Sequence, residues 1–200
     1  METLNELLRQ AEAAHGHLCA GQILGVRLAL LGLTRLGIAD PRVADRKRLI
    51  TYVEIDRCAT DAIALVTGCR LGKRALKFRD WGKMAATFAD LESGRAIRIV
   101  ALEDSRDLAA RLYPHLESKS AQQMAAYRDL SDAQLFREQW VRVEIDPVDL
   151  PGASRKERIV CERCGEGVNF GRVAEVDGQR LCLSCAHPEL CYWRPVEPRD

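Results

Sequence analysis

The alternation of apolar and polar residues divides the first part of the chain into helices and strands. Leucine and alanine recur at helical spacing in "TLNELLRQAEAAH", which predicts an amphipathic first helix. The next run, "GQILGVRLALLGLTRLG", is apolar on most faces and predicts a largely buried helix that ends near Gly37. Residues 48–56, "RLITYVEID", predict a strand, and "TDAIALVTG" predicts a short helix capped by Thr60 or Asp61.

A second group of strands and helices follows. The runs "RALKFRDWG", "KMAATFADL" and "RAIRIVAL" predict three strands, and the glycines between them favour tight turns and a meander. Two or three helices are expected from about Ser105 to Glu138, the last of them opened by a capping box of Ser131 and Gln134. The run "QWVRVEIDPV" then predicts a closing strand. This mixture of elements indicates an α+β domain.

Composition and charge limit the classes of function that we expect for this chain. The chain is 47% hydrophobic with a formal net charge of +1, which is ordinary for a folded soluble protein and gives no reason to expect binding to nucleic acid or to a membrane surface. The longest apolar run is interrupted by Arg27 and is shorter than the ~20 residues that span a bilayer. The N-terminus lacks the layout of a signal peptide, so a cytoplasmic location is expected. In that reducing compartment, cysteines serve as ligands or reactive thiols more often than as disulfides.

The eight cysteines form two groups, three in the first seventy residues and five in the last forty. Between the groups lies "DPVDLPGAS", residues 146–154, whose prolines and glycine are typical of a linker. The sequence therefore predicts two domains, residues 1–150 and residues 155–200.

The last group of cysteines has the spacing of a structural zinc site. Two C-x2-C pairs are separated by seventeen residues, and the intervening "VDGQ" predicts a hairpin turn. The four predicted ligands are Cys161, Cys164, Cys182 and Cys185. Four thiolates close the coordination sphere of zinc, so the site stabilises a fold rather than catalysing a reaction. A treble-clef finger is expected, with a zinc ribbon or four metal-free cysteines as alternatives.

The charge of this finger argues against a nucleic-acid partner. Residues 154–200 carry eight basic and eight acidic side chains, so they present no electrostatic footprint for phosphates. A structural role or contact with another protein is the expected use.

The stretch "HGHLCAG" offers a second candidate site. In an extended segment His15, His17 and Cys19 point the same way, whereas in a helix His15 and Cys19 share a face. Cys19 is expected near a helix N-terminus, where the helix dipole favours the thiolate, and Cys58 is expected at the start of the next helix. The residues alone leave two interpretations open: a metal or redox site, or cysteines and histidines that only pack.

Three separated motifs resemble the FmdE family, which is named after a component of formylmethanofuran dehydrogenase. They are "HGHLCAGQILGVRLA", "VEIDRCATDAIALVTGCRLGKRALKFRDWGKMAATF" and the double CxxC. The resemblance implies an α+β, thioredoxin-like core with a mixed five-stranded sheet flanked by helices, followed by a treble-clef zinc finger. It also implies a metal site in that core that zinc can occupy. The family motif usually reads Cys-Pro-Gly, and here Ala20 replaces the proline, which should loosen the loop without removing a ligand.

The expected core ligands are His17, Cys19 and Cys58, with His15 in reserve. Cys69 is expected to be a ligand, a resolving thiol or a buried residue, and Asp61 is expected to cap its helix. Three ligands would leave one coordination position open for zinc or another transition metal. If the site is catalytic, His15 and Cys58 are the candidate acting residues.

The resemblance favours a redox or metal-handling accessory of molybdenum or tungsten formylmethanofuran dehydrogenase, or of a related C1 oxidoreductase. This chain alone is not expected to oxidise formylmethanofuran. Two alternatives remain: an independent metal-dependent enzyme, and a structural or interaction protein that contacts partners through its finger. Oxidoreductase subunits and a second copy of the chain, forming a homodimer, are the expected partners.

Overall fold

A computed structural model describes residues 2–146, 150 and 157–196, and they fall into two compact units. The first unit extends to Ile145, and the second contains the described residues from 157 onward. Most of the predicted linker, residues 146–154, lies outside the described residues, so the domain limits remain a prediction.

The first unit is a mixture of helices and strands, as predicted. Its elements, in chain order, are α1 Leu4–His15, α2 Ala20–Leu36, β1 Leu49–Val53, α3 Cys58–Thr67, β2 Leu76–Phe78, β3 Ala85–Asp90, β4 Ala96–Ala101, α4 Asp104–Leu112, α5 Lys119–Asp129, α6 Asp132–Leu135 and β5 Phe136–Val141. The strands form one mixed five-stranded sheet with α2 packed against β3 and β4. The expected α+β class is confirmed, whereas its thioredoxin-like character remains a prediction.

The order of the strands is β2-β1-β3-β4-β5. β1 and β2 are parallel and joined through α3, because parallel neighbours require a crossover connection. The other neighbouring pairs are antiparallel. β1 lies between β2 and β3, with Thr51 opposite Leu76 of β2 on one side and Phe88 of β3 on the other. The expected meander is therefore wrong for β2, which lies on the far side of β1, and is confirmed for β3 and β4.

The helix ends follow their local sequence signals, with one exception. The capping box of Ser131 and Gln134 is confirmed at α6. The predicted end of α2 at Gly37 is also confirmed, with a φ of 70°. The predicted start of α3 at Thr60 or Asp61 is wrong, because the helix begins at Cys58. The Thr60 hydroxyl instead donates to the carbonyl of Ile55 in the preceding loop.

Two glycines let α2 lie unusually close to its neighbours. A Cβ atom on Gly32 would lie 2.3 Å from the ring of Phe88, which is fully buried in β3. A Cβ atom on Gly25 would lie 2.5 Å from the carbonyl oxygen of Ala59, in the first turn of α3. The first contact seats α2 on the sheet, and the second brings the N-terminal halves of α2 and α3 together, near Cys19 and Cys58.

The far end of the sheet is held by an ion pair. Asp90, at the end of β3, has a fully buried side chain and accepts hydrogen bonds from Arg48 at 3.1 and 2.8 Å and from Ser93 at 2.7 Å. Burial alone would raise the pKa of the Asp90 carboxyl, but these hydrogen bonds outweigh it and lower that pKa to about 2.

The second unit is built from short strands. They are β6 Arg158–Val160, β7 Gly167–Asn169, β8 Val173–Val176 and β9 Gln179–Cys182, followed by α7 Leu183–Ala186. The predicted hairpin turn is confirmed, since Asp177 and Gly178 both have the positive φ that a type I′ turn requires. The order of knuckle, hairpin and helix is that expected for a treble clef.

None of the described helices is long and apolar enough to cross a membrane.

Candidate metal centres

The four finger cysteines converge as the sequence predicts. The sulfur atoms of Cys161, Cys164, Cys182 and Cys185 all lie within 4.8 Å of one another. The Sγ atoms of Cys164 and Cys182 are 3.8 Å apart, which matches the edge of a tetrahedron whose centre is about 2.3 Å from each sulfur. The spacing therefore fits a zinc ion with four thiolate ligands.

The surrounding groups shift the pKa values of the finger thiols in different directions. Backbone N–H groups, that of Cys164 first, donate to Cys161 and lower its pKa to about 6. The hydrogen bond with Cys182, burial and the other cysteines raise the pKa of Cys185 to about 12. Four thiolates this close together repel one another, so full deprotonation requires a cation between them.

The core motif lies in the connection between α1 and α2. Gly16 ends α1 with a φ of 90°, the chain bends at residues 16 and 17, and Cys19, the N-cap of α2, is extended. The imidazole rings of His15 and His17 lie 4.9 Å apart between centroids, with His15 half-buried and His17 exposed. Both histidines and Cys19 thus lie at one end of α2.

Cys58 reaches the same place from α3. Its side chain and that of Cys19 both lie against Gly21. A Cβ atom on Gly21 would lie 3.4 Å from Cβ of Cys58 and 3.7 Å from Sγ of Cys19, so the glycine keeps the space between the two helices open. The approach of residues 19 and 58, which the sequence could not establish, is present in the fold.

The charge state of Cys58 differs from expectation. Burial, followed by the hydrogen bond and charge of Cys19, raises the pKa of the Cys58 thiol. The expected preference for a thiolate at this helix N-terminus is therefore wrong for Cys58, because desolvation and a second thiol outweigh the helix dipole. A divalent cation bound to both sulfurs would reverse that preference.

Asp61 has a role that the sequence pattern did not reveal. Its carboxylate lies 3.0 Å from Nδ1 of His15, and in the described chain no side chain caps the N-terminus of α3. A carboxylate at Nδ1 fixes the proton there and leaves Nε2 with the lone pair that a metal needs. The two residues are 46 positions apart, so no local pattern could have paired them.

Cys69 lies away from this group, beyond the C-terminal end of α3. Its thiol is buried, accepts a hydrogen bond from Thr51 at 3.5 Å and faces the carbonyl of Leu49. Burial raises its pKa. The ten residues of α3 separate it from Cys58 by about 15 Å, so the structure does not bring Cys69 to the other core candidates.

Within the described ranges, only the finger brings three or more ligand atoms within 4.8 Å of one another. The core residues offer a metal two thiols beside Gly21 and two imidazole rings at the same end of α2. A small cleft of about 90 Å³ adjoins this group, and Ala20, Gly21, Met84, Glu103 and Arg106 are among its lining residues.

The family model described as "FmdE, Molybdenum formylmethanofuran dehydrogenase operon" matches residues 14–143. This chain belongs to the FmdE family. A second model, the prokaryotic dksA/traR C4-type zinc finger, matches residues 155–189 and includes all four finger cysteines. The FmdE segment contains every core candidate, and the finger is a separate metal-binding module.

Two individual proteins are similar to this FmdE-family chain. One is a probable S-adenosyl-L-methionine-binding protein of Archaeoglobus fulgidus, 29% identical over 92% of this chain and 53% of that protein. The chain thus spans about half the length of that curated relative. The other is the crystal structure of a tungsten formylmethanofuran dehydrogenase FmdE-like protein from Syntrophus aciditrophicus. It has a TM-score of 0.63 and 19% identity, with 95% of each chain covered, so it supports the fold.

Proposed function

We propose that this chain is a metal-binding accessory or subunit of a molybdenum or tungsten formylmethanofuran dehydrogenase or a related C1 oxidoreductase, with redox or metal handling carried out at the core site. The observation that carries this proposal is that Cys19 and Cys58, from the ends of α2 and α3, both lie against Gly21, with the His15–Asp61 pair on the same two helix ends. Two thiols and an oriented imidazole form a donor set suited to zinc and other transition metals.

The proposed ligands are Cys19 and Cys58 with one histidine. The sequence favours His17 as the histidine ligand. The Asp61 carboxylate at Nδ1 of His15 supports His15 equally, because it leaves the Nε2 lone pair of that ring available to a metal. A metal held by three protein ligands would supply a Lewis acid with an open position. The residues themselves would hold protons at the Cys58 thiol and at Nδ1 of His15, and Asp61 would keep the His15 ring in place.

The first experiment is metal content per chain, measured by plasma mass spectrometry, on the wild type and on Cys19→Ser. We expect about two metals in the wild type and about one in the variant, because the finger ligands are untouched. One metal in both proteins would contradict a core site and leave a structural or thiol role.

The proposed assembly has its own test. We propose a cytoplasmic homodimer that also binds oxidoreductase subunits, and that has no formylmethanofuran dehydrogenase activity by itself. Analytical ultracentrifugation should give twice the chain mass. A monomer at micromolar concentration would contradict the dimer, and turnover of formylmethanofuran by the purified chain would contradict the accessory role.

An independent metal-dependent enzyme is a second candidate, supported by the cleft beside Gly21. His15 would then act as general base with Cys58 as nucleophile or ligand. Calorimetry with small ligands would test it, and S-adenosyl-L-methionine belongs among them because the curated relative carries that name. Binding that disappears in Cys19→Ser would favour this alternative over the accessory role.

A further inference from the structure

Gln22 lies in the first turn of α2, three residues after Cys19, and is fully buried. Its Nε2 donates to the carbonyl oxygen of Cys58 at 3.2 Å. It therefore bridges the ends of the two helices that carry the core thiols. Glutamine is rarely buried to this extent unless both ends of its amide are hydrogen-bonded.

The other end of this amide has no such bond. Within the part of the chain that the structure describes, Oε1 of Gln22 is buried and has no hydrogen-bond partner. The orientation cannot be reversed, because a carbonyl oxygen only accepts and Cys58 therefore requires the NH2 group of the amide. A buried acceptor without a donor is left with the full cost of its desolvation.

We propose that Gln22 is a positioning residue of the core metal site, and that its Oε1 accepts a hydrogen bond from a protic ligand (one with an O–H or N–H group) held there. This inference rests on the proposed core site. Water, alcohols and amines belong to this class of ligand, and aprotic anions do not. The cost of the unpaired acceptor in the free protein is recovered when such a ligand binds.

The two possible roles of Gln22, in the metal site or only in packing, predict different outcomes for metal affinity and for the stability of the metal-free protein. If Oε1 serves a bound ligand, replacing the amide weakens metal binding and changes the stability of the metal-free protein little, because loss of the hydrogen bond to the Cys58 carbonyl is offset by removal of an unpaired acceptor. If Gln22 only packs, its removal destabilises the metal-free protein and leaves metal binding unchanged. Loss of a residue that hydrogen-bonds to a metal-site group typically weakens metal binding by about 10–100-fold.

The experiment titrates the metal-free full chain with cobalt(II) and follows the thiolate charge-transfer absorption, with Cys19→Ser reporting the finger alone. In Gln22→Met, which keeps the length of the side chain, we expect at least a tenfold loss of core affinity and little change in urea stability without metal. In Gln22→Glu burial favours the protonated carboxyl, whose O–H can donate to the Cys58 carbonyl while the other oxygen remains an acceptor, so cobalt should bind within threefold of the wild type.

Thr67→Val is the matched control, because Thr67 is equally buried in α3 and its hydroxyl is already bonded to the Ile63 carbonyl at 2.7 Å. This variant should lose stability and keep its cobalt affinity. Unchanged cobalt affinity in Gln22→Met, or equal losses of affinity in the Met and Glu variants, would overturn the role of Oε1. Neither result would overturn the proposed core site. A wild type that binds no cobalt beyond its finger would overturn the proposed core site as well.

Discussion

His15 and Asp61 form the contact that gives the core loop a defined chemistry. The imidazole is half-buried and the carboxylate mostly exposed, so their hydrogen bond adds little to folding. Its value lies in orientation, because it selects the tautomer in which Nε2 can coordinate.

Asp61→Asn should therefore weaken metal binding at the core site by about 10–100-fold while leaving urea stability within about 0.5 kcal/mol. Asn keeps the size of the side chain but no longer holds a proton on Nδ1 through its charge. Cobalt titration measures the affinity. Asp56→Asn, an exposed neighbour with the same charge change, is the control and should bind normally.

Asp90 should give the first unit a measurable pH dependence. Its folded pKa of about 2 lies below the unfolded value of about 4, so its contribution is present above the unfolded pKa and disappears as pH falls from about 5 through 2. The contribution amounts to about 2 kcal/mol.

Urea denaturation across pH 2–6 would check this expectation. Asp90→Asn should be less stable at pH 6 and should lose most of the slope, since the hydrogen bonds from Arg48 then meet a neutral amide. Asp107→Asn, at an exposed position of α4, should keep the slope of the wild type. Identical slopes in all three proteins would mean that Asp90 does not carry the effect.

At the scale of elements, α2 is held in place by contacts that only glycine allows. Gly32→Ala would improve helix propensity by about 1 kcal/mol, yet its new methyl group would collide with Phe88. Overpacking of this kind costs about 1–3 kcal/mol, so we expect net destabilisation by urea denaturation. The exposed Thr34→Ala in the same helix should change stability by less than about 0.5 kcal/mol. A stabilised Gly32→Ala would show that α2 can shift away from the sheet.

The elements that the sequence predicted well are those with strong local signals. α1 has clear apolar periodicity, α2 is apolar on most faces, both end at a glycine, and α6 has its capping box. The pairing of β2 was missed because nothing local to Leu76–Phe78 specifies that β1 will lie beside it. That choice is made by α3, which must cover the sheet as it crosses over.

At the scale of the whole molecule, the two units depend on metal to different degrees. The first unit has a large apolar core, whereas the buried cluster of the finger consists of Cys161, Leu181 and Cys182. So small a core does not support folding alone, and metal binding supplies the missing free energy.

A chelator that removes bound metal should therefore unfold residues 157–196 and leave the first unit folded. Hydrogen exchange followed by NMR would show loss of protection in β6–β9 only. Cys164→Ser should produce the same local loss without a chelator. Protection that persists in the finger after metal removal would contradict a metal-dependent fold.

How far each candidate site could be predicted depends on how far apart its residues lie along the chain. The finger ligands are close in sequence, so their spacing alone predicted the geometry. The core site joins residues from three helices, so the sequence supplied candidates but neither the Asp61 contact nor the buried amide of Gln22.

The distance along the chain between Cys19 and Cys58 affects how the protein would acquire its metals in a cell. These two thiols meet only after α2 and α3 have packed, whereas the finger cysteines close a short loop at small entropic cost. Synthesis runs from the N-terminus and domains fold as units, so the first unit can be complete before the finger cysteines are made. The proposed core site would therefore be able to take up metal first on a newly synthesised chain, whereas a chain refolded from the fully unfolded state would fill its finger first.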